Sequence, residues 1–166
     1  MDIKELFRGI NIKRLLQYGL YLLLALIAQN MIFTKIRPLE VCPMALPAVA
    51  VAVGMFEGAT FGAVFSLIMG IFADLAFLEN TVMFTILFPA ISFFTGFVSQ
   101  FFLNRRFFAY MGIALVCLFA TAVVQAMSVI VRDGFAGEMI SVVILQTLWS
   151  LPPAVLAYFP PAKWIE

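Results

Sequence analysis

Histidine is absent from this 166-residue chain, and cysteine occurs only twice, at Cys42 and Cys117. Without histidine, the chain lacks the side chain that most often acts as a general base or metal ligand near neutral pH. Two distant cysteines do not supply a zinc or haem site. Because the sequence also contains no nucleophile–base pair and no phosphate-binding loop, it predicts a protein that is not an enzyme and has no catalytic, cofactor-binding or metal-ligating residues.

Charged residues are also scarce. Lysine and arginine contribute 10 residues and the two acids 9, together 11% of the chain, where about 25% is usual in soluble domains. Hydrophobic residues make up 64% of the sequence, and the mean hydropathy is +1.10. This composition excludes a soluble globular domain and predicts an integral membrane protein. The net charge of +1 offers no broad basic surface for nucleic acid.

The few charges separate uncharged stretches of a length suited to a bilayer. A helix rises about 1.5 Å per residue and the hydrocarbon core is about 30 Å thick, so about 20 residues cross it. Four stretches reach this length, and two shorter ones flank Glu57, where we expect a turn with a solvated carboxylate. The sequence therefore predicts an all-α integral membrane protein, a six-transmembrane-helix bundle that forms one domain over 1–166. The predicted spans are about 15–34, 41–56, 58–74, 80–103, 107–131 and 139–159.

Lysine and arginine positions predict the orientation of these spans. With the N-terminus inside, cytoplasmic segments hold 7 of the 10 basic residues. This excess predicts that both termini are cytoplasmic. Residues 1–14 fit either an interfacial helix on the membrane or a frayed tail whose basic residues set the orientation. Prolines at Pro89 and at Pro152-Pro153 fall inside predicted spans, where we expect kinks.

Small residues recur at a spacing of four and end at an acid. The series is Gly54, Gly58, Gly62, Ser66, Gly70 and Asp74. Residues four apart lie on nearly the same helix face, where small side chains let a neighbouring backbone approach closely. The series predicts a helix-packing face, which serves either the interior of this bundle or another membrane protein.

Asp74 is an ionisable group near membrane depth, where a charge costs about 2.5–3.5 kcal/mol at the bilayer centre and less toward the interface. We expect it to be either a wetted acid at the outer edge or a buried group paired with a side chain such as Gln125 or Gln146. Its role is then either a structural tether or a contact with a partner. The amide side chains inside or at the ends of the predicted spans form either interhelical hydrogen bonds or the polar groups of a small-molecule pocket; they are Gln29, Asn30, Gln125 and Gln146.

The stretch 62–75, followed by Thr95-Gly96-Phe97 and the turn Asn104-Arg105-Arg106, resembles the rod shape-determining protein MreD family. Chain length, six-span layout and short loops agree with that family over essentially the whole chain. The most specific matching residues are Gly70, Asp74 and Gly96.

The resemblance implies a fold related to the S components of energy-coupling-factor transporters. It also implies a non-enzymatic scaffold subunit of the cell-elongation machinery, which makes peptidoglycan at the bacterial inner membrane. The implied partners are MreC and, with it, MreB, RodA and a class B penicillin-binding protein, within the surrounding membrane lipids.

A substrate-binding S component of a vitamin transporter is the alternative function. Such a protein needs polar or aromatic groups that converge from the outer side on a vitamin-sized cavity. The outer loops of this chain are short and poor in hydrogen-bond donors, which favours the scaffold. The sequence leaves open whether a pocket for a lipid or a vitamin exists.

Overall fold

The computed structural model describes residues 12–33, 35, 41–77, 82–101, 107–134 and 137–165. All regular structure in these ranges is helical. The helices are α1 (Ile12–Ile27, continued by a π-helical turn at Ala28–Phe33), α2 (Leu46–Glu57), α3 (Ala59–Phe77), α4 (Met83–Phe101), α5 (Phe107–Asp133), α6 (Met139–Trp149) and α7 (Leu151–Ile165). The interfacial helix considered for 1–14 lies almost wholly outside the described residues.

Four helical stretches are long and apolar enough to cross a membrane. They are Leu16–Phe33, Ala59–Ala76, Phe107–Val131 and Met139–Trp164. The all-α membrane class is therefore confirmed. Leu46–Glu57 and Met83–Ser99 are shorter apolar helices, so only four of the six predicted spans meet this criterion.

Helix α2 is the centre of the bundle. Every residue from Leu46 to Phe56 is buried, and the helix contacts α1, α3, α4, α5 and α7. A helix that is hydrophobic on all sides suits either a protein core or a lipid environment, and here neighbouring helices surround it. The helix begins at Leu46, later than the predicted start at 41, because a proline fits only the first turn of a helix and Pro47 occupies that place.

Consecutive helices from α1 to α6 run antiparallel, and α7 continues in the direction of α6. Gly96 of α4 packs against Ala59 at the start of α3, whereas Asp74 near the end of α3 reaches Phe84 at the start of α4. At the other side of the bundle, the Tyr18 ring of α1 lies 5.0 Å from the Trp164 ring of α7. The first described helix therefore begins at the end of the bundle where the last one finishes.

The turn predicted around Glu57 is present. Gly58 joins α2 to α3 with a φ of 94°, a conformation that glycine adopts without strain. The carboxylate is not simply solvated as predicted: it is half-buried, and the Tyr18 hydroxyl donates a hydrogen bond to Glu57 Oε1 at 2.7 Å. Since the chain reverses at Gly58, the small-residue series is divided between two antiparallel helices.

The last apolar stretch is broken between α6 and α7. Sequence analysis predicted a kink at Pro152-Pro153, and the break falls just before this pair, at Ser150. Prolines have no backbone N–H, so they cannot donate to the carbonyls of the preceding helical turn. The Ser150 hydroxyl also donates a hydrogen bond to the Gln146 carbonyl, at 2.6 Å.

Candidate functional site

Glycines of the small-residue series lie where helices α2, α3 and α4 approach most closely. A methyl group added at Gly62 would lie 2.5 Å from Ser92 Oγ and 2.6 Å from Gly54 Cα. At Gly70, it would lie 2.5 Å from the Phe84 carbonyl oxygen. Real side chains do not tolerate such distances, so glycine is required for these helices to meet as closely as they do.

Gly54 and Gly96 extend the same close packing onto α4. A methyl group at Gly54 would lie 2.7 Å from Ser92 Oγ, and one at Gly96 would lie 2.5 Å from Ala59 Cα. The structure thus places Gly54, Gly62, Gly70 and Gly96 in the close packing of α2, α3 and α4, whereas Gly58, also predicted for this face, lies in the turn between α2 and α3. Their close approaches are to atoms of this chain, which corresponds to the interior alternative rather than to a face for another protein.

Ser66, the remaining small member of the series, is fully buried in α3. Its hydroxyl has no hydrogen-bond partner in the described part of the chain, and neither does that of the fully buried Ser92. An unpaired buried hydroxyl is unfavourable. Because Ser92 Oγ is adjacent to both Gly54 and Gly62, small size is what this position requires.

Asp74 caps the first turn of α4. The backbone N–H groups of Phe84 and Thr85 donate to its carboxylate at 3.1 and 2.8 Å, and the Thr85 hydroxyl donates at 2.6 Å. These bonds satisfy two of the free N–H groups at a helix start and place a negative charge at the positive end of the helix dipole. The half-buried carboxylate therefore ties α3 to α4, and it does not pair with Gln125 or Gln146.

Those two amides pair with each other. Gln146 Nε2 donates a hydrogen bond to Gln125 Oε1 at 2.7 Å. Gln125 Nε2 in turn donates to Met44 Sδ at 3.4 Å. The pair connects α6 to α5 and, through Met44, to the segment that precedes α2. The interhelical hydrogen bonds expected for intramembrane amides are therefore present here.

The segment 41–45 is non-helical, and sequence analysis did not foresee how it is held. Gln29 in the π-helical turn accepts a hydrogen bond from the Ala45 N–H at 2.8 Å and donates to the Pro43 carbonyl at 3.0 Å. Ser150 Oγ accepts from the Met44 N–H at 2.8 Å. Non-helical backbone at membrane depth is tolerated when protein groups satisfy it. The prolines at 43 and 47 were the sequence signal for this arrangement. They disfavour an earlier helix start, so the backbone N–H groups of Met44 and Ala45 need acceptors outside a helix.

A cleft between α5 and α6 has polar side chains in its lining. Its volume is about 350 Å³, and three of its lining residues are polar: Gln125, Glu138 and Gln146. An adjoining cavity of about 270 Å³ has a wholly apolar lining. The two share Ala126, Met139 and Val143, so they are continuous along α6.

The described residues contain no group of three or more acidic, cysteine or histidine side chains that could hold a metal ion. No family model, no curated protein and no solved structure matches the chain significantly. The chemistry of this protein must therefore be argued from its own residues: a tightly packed α3–α4 hairpin fastened by Asp74, and a largely apolar cleft beside α6.

Proposed function

We propose that this chain is a six-span scaffold subunit of the cell-elongation machinery, similar to MreD, with a bundle like that of transporter S components. It acts without catalysis by holding MreC, and with it MreB, RodA and a class B penicillin-binding protein, at the sites of peptidoglycan synthesis. It lies in the bacterial inner membrane with both termini in the cytoplasm.

The observation that carries this proposal is the position of the three residues most specific to the resemblance. Gly70, Asp74 and Gly96 all fasten α3 to α4, through two close backbone approaches and one helix cap. A hairpin fastened along its whole length is a stiff element. Stiffness is what a scaffold needs to hold partners in a fixed arrangement.

The outer face of this hairpin is the surface proposed for a partner helix. It is apolar and exposed on both helices, with Ile68, Phe72, Leu75, Ile86, Phe94 and Phe97 among its residues. The glycines are occupied inside the bundle, so a partner helix would pack on these larger side chains. Lipid covers the face where no partner does.

The six-span arrangement is supported by the order of the helices. Direction alternates from α1 to α6, and α7 continues the path of α6, so the short helices α2 and α4 complete an antiparallel series of six. Helix α2 alone is about 18 Å long at 1.5 Å per residue, and the largely buried segment 41–45 extends its path through the bundle. The juxtaposition of Tyr18 and Trp164 fits two termini on one side of the membrane.

Depletion in the native cell tests the scaffold function. Cells should become round and lose localised incorporation of a fluorescent wall precursor, and the wild-type gene should restore both. Asp74→Leu should restore them only in part, whereas Gly112→Ala, at an exposed glycine with no atom within 4 Å of the added methyl, should restore them fully. Normal shape and wall synthesis after complete depletion would refute the proposal.

A vitamin-binding S component is the second candidate function, and the α5–α6 cleft is the observation that favours it. About 350 Å³ is within the range of small-molecule sites, roughly 300–1,000 Å³. The lining offers only two amides and one carboxylate, which is few for a polar vitamin. Depletion would in that case leave shape normal and make growth depend on an external vitamin, which the purified protein would bind tightly.

A further inference from the structure

The cleft between α5 and α6 runs inward from the end of the bundle. Glu138 lies at its rim, just before α6 begins, and Gln146 lies eight residues further along that helix. At 1.5 Å per residue, this separation is about 12 Å along the helix axis. Gln146 is therefore well below the rim, at a depth where a bilayer contains hydrocarbon rather than headgroups.

Gln146 presents an unused hydrogen-bond acceptor to this cleft. Its amide nitrogen donates to Gln125 Oε1, but its own side-chain oxygen accepts no hydrogen bond within the described part of the chain. An acceptor without a donor is unfavourable in apolar surroundings. A ligand that brings an O–H group to this depth would satisfy it.

The rest of the cleft suits hydrocarbon. The adjoining cavity has no polar lining residue, and its walls are formed by Phe119, Val123, Ala126, Met127, Ile130, Met139, Ile140, Val143 and Ile144. Several of these side chains, such as Met127 and Ile140, are exposed on the bundle surface. A lipid chain could therefore enter from the side, directly from the bilayer.

The charge at the rim selects against anionic headgroups. Glu138 is exposed, and its carboxylate would repel a phosphate placed beside it. A charged headgroup would also be costly to bring down to Gln146. We propose that the α5–α6 cleft binds an uncharged membrane lipid whose hydroxyl headgroup donates a hydrogen bond to Gln146 Oε1 and whose chains lie along the apolar wall.

Diacylglycerol is the simplest bilayer lipid of this chemistry, and it serves as the probe. This inference does not rest on the scaffold function, so either can fail alone. The full chain in lipid nanodiscs would be irradiated with a photoactivatable diacylglycerol, and the labelled peptides would be identified by mass spectrometry. Labelling should saturate, fall within α5 and α6, and be displaced by unlabelled diacylglycerol far better than by phosphatidylglycerol.

Two variants separate the headgroup from the chains. Gln146→Leu should weaken labelling about five- to tenfold, the usual effect of losing one hydrogen bond. Ala126→Phe should abolish it by filling the space shared by both cavities while leaving the Gln125–Gln146 pair in place. Leu148→Ala, at an exposed residue of α6 that does not line either cavity, should have no effect.

Three results would overturn the inference. Labelling that does not saturate would mean general lipid contact, and equal displacement by phosphatidylglycerol would mean that the hydroxyl headgroup is not recognised. Displacement by a soluble vitamin would assign the cleft to the transporter function instead. The saturation and displacement measurements use the wild-type protein, so they test the lipid site even if a cleft variant fails to fold.

Discussion

Replacing Gly70 with alanine should loosen the α3–α4 hairpin. The added methyl group would lie 2.5 Å from the Phe84 carbonyl oxygen and 2.8 Å from Thr85 Cα, whereas ordinary contacts begin near 3.4 Å. Because backbone atoms cannot rotate away as a side chain can, the start of α4 must retreat by about 1 Å. Asp74 bonds to the same two residues, so that retreat also stretches its hydrogen bonds to their N–H groups from 3.1 and 2.8 Å.

The two effects give the expected size of the loss. Overpacking a tight contact typically costs about 1–3 kcal/mol, and loss of a helix cap about 0.5–2 kcal/mol. Alanine recovers up to about 1 kcal/mol because it favours the helix over glycine. Gly70→Ala should therefore lower the free energy of unfolding by about 0.5–4 kcal/mol.

Reversible unfolding in mixed micelles of dodecyl maltoside and sodium dodecyl sulfate measures this change, with tryptophan fluorescence as the readout. Gly112→Ala is the matched control, because Gly112 is helical and exposed and its added methyl would meet no atom within 4 Å. It should be neutral or slightly stabilising. If Gly70→Ala is as stable as Gly112→Ala, the close helix contact inferred at Gly70 is wrong.

Three further changes have defined outcomes. Asp74→Ala should destabilise the protein by about 2–4 kcal/mol in the same unfolding assay, since it removes three hydrogen bonds to a charged acceptor. Asp74→Asn should cost less, because one side-chain oxygen remains. Equal stability of the wild type and both variants would contradict the helix cap at Asp74. Gln29→Leu should speed amide hydrogen exchange at Ala45, because its N–H loses its acceptor, and unchanged exchange would show that the Gln29 hydrogen bond is dispensable. Single cysteines at Arg105 and Gly134, in a background without native cysteines, should be labelled from opposite sides of intact cells; labelling from the same side would refute the six-span topology.

Much of the helical framework was predictable because charge and proline positions determine where helices can lie in a membrane. The lack of charge from 107 to 131 predicted a long span, and the helix found there is Phe107–Asp133. The close packing at Gly62 and Gly70 could also be expected from spacing alone. The packing of α2, α3 and α4 against one another could not be predicted, because the same spacing fits both an internal contact and a face for a partner protein.

The partner of Asp74 was not predicted, although the sequence contained a signal for it. The predicted partners were side chains such as Gln125 and Gln146, whereas two of the donors are backbone N–H groups of the next helix. A tight antiparallel hairpin brings residues near the end of one helix to the start of the next, and an acid there complements the helix dipole. The clamp formed by Gln29 and Ser150 was missed for a related reason: its partners are backbone groups of the non-helical segment 41–45, which a helix-spacing pattern does not reveal.

Photocrosslinking from the outer face of the α3–α4 hairpin tests the scaffold function most directly. A photoreactive amino acid would replace Ile86 or Phe94, whose side chains are 71% and 68% exposed, and a third variant at the fully buried Phe88 would be the control. In growing cells, the two exposed positions should crosslink to MreC or to the synthase pair, and the buried position should not. Crosslinks from the exposed positions to the membrane subunit of a transport ATPase, or to lipid alone, would contradict the account.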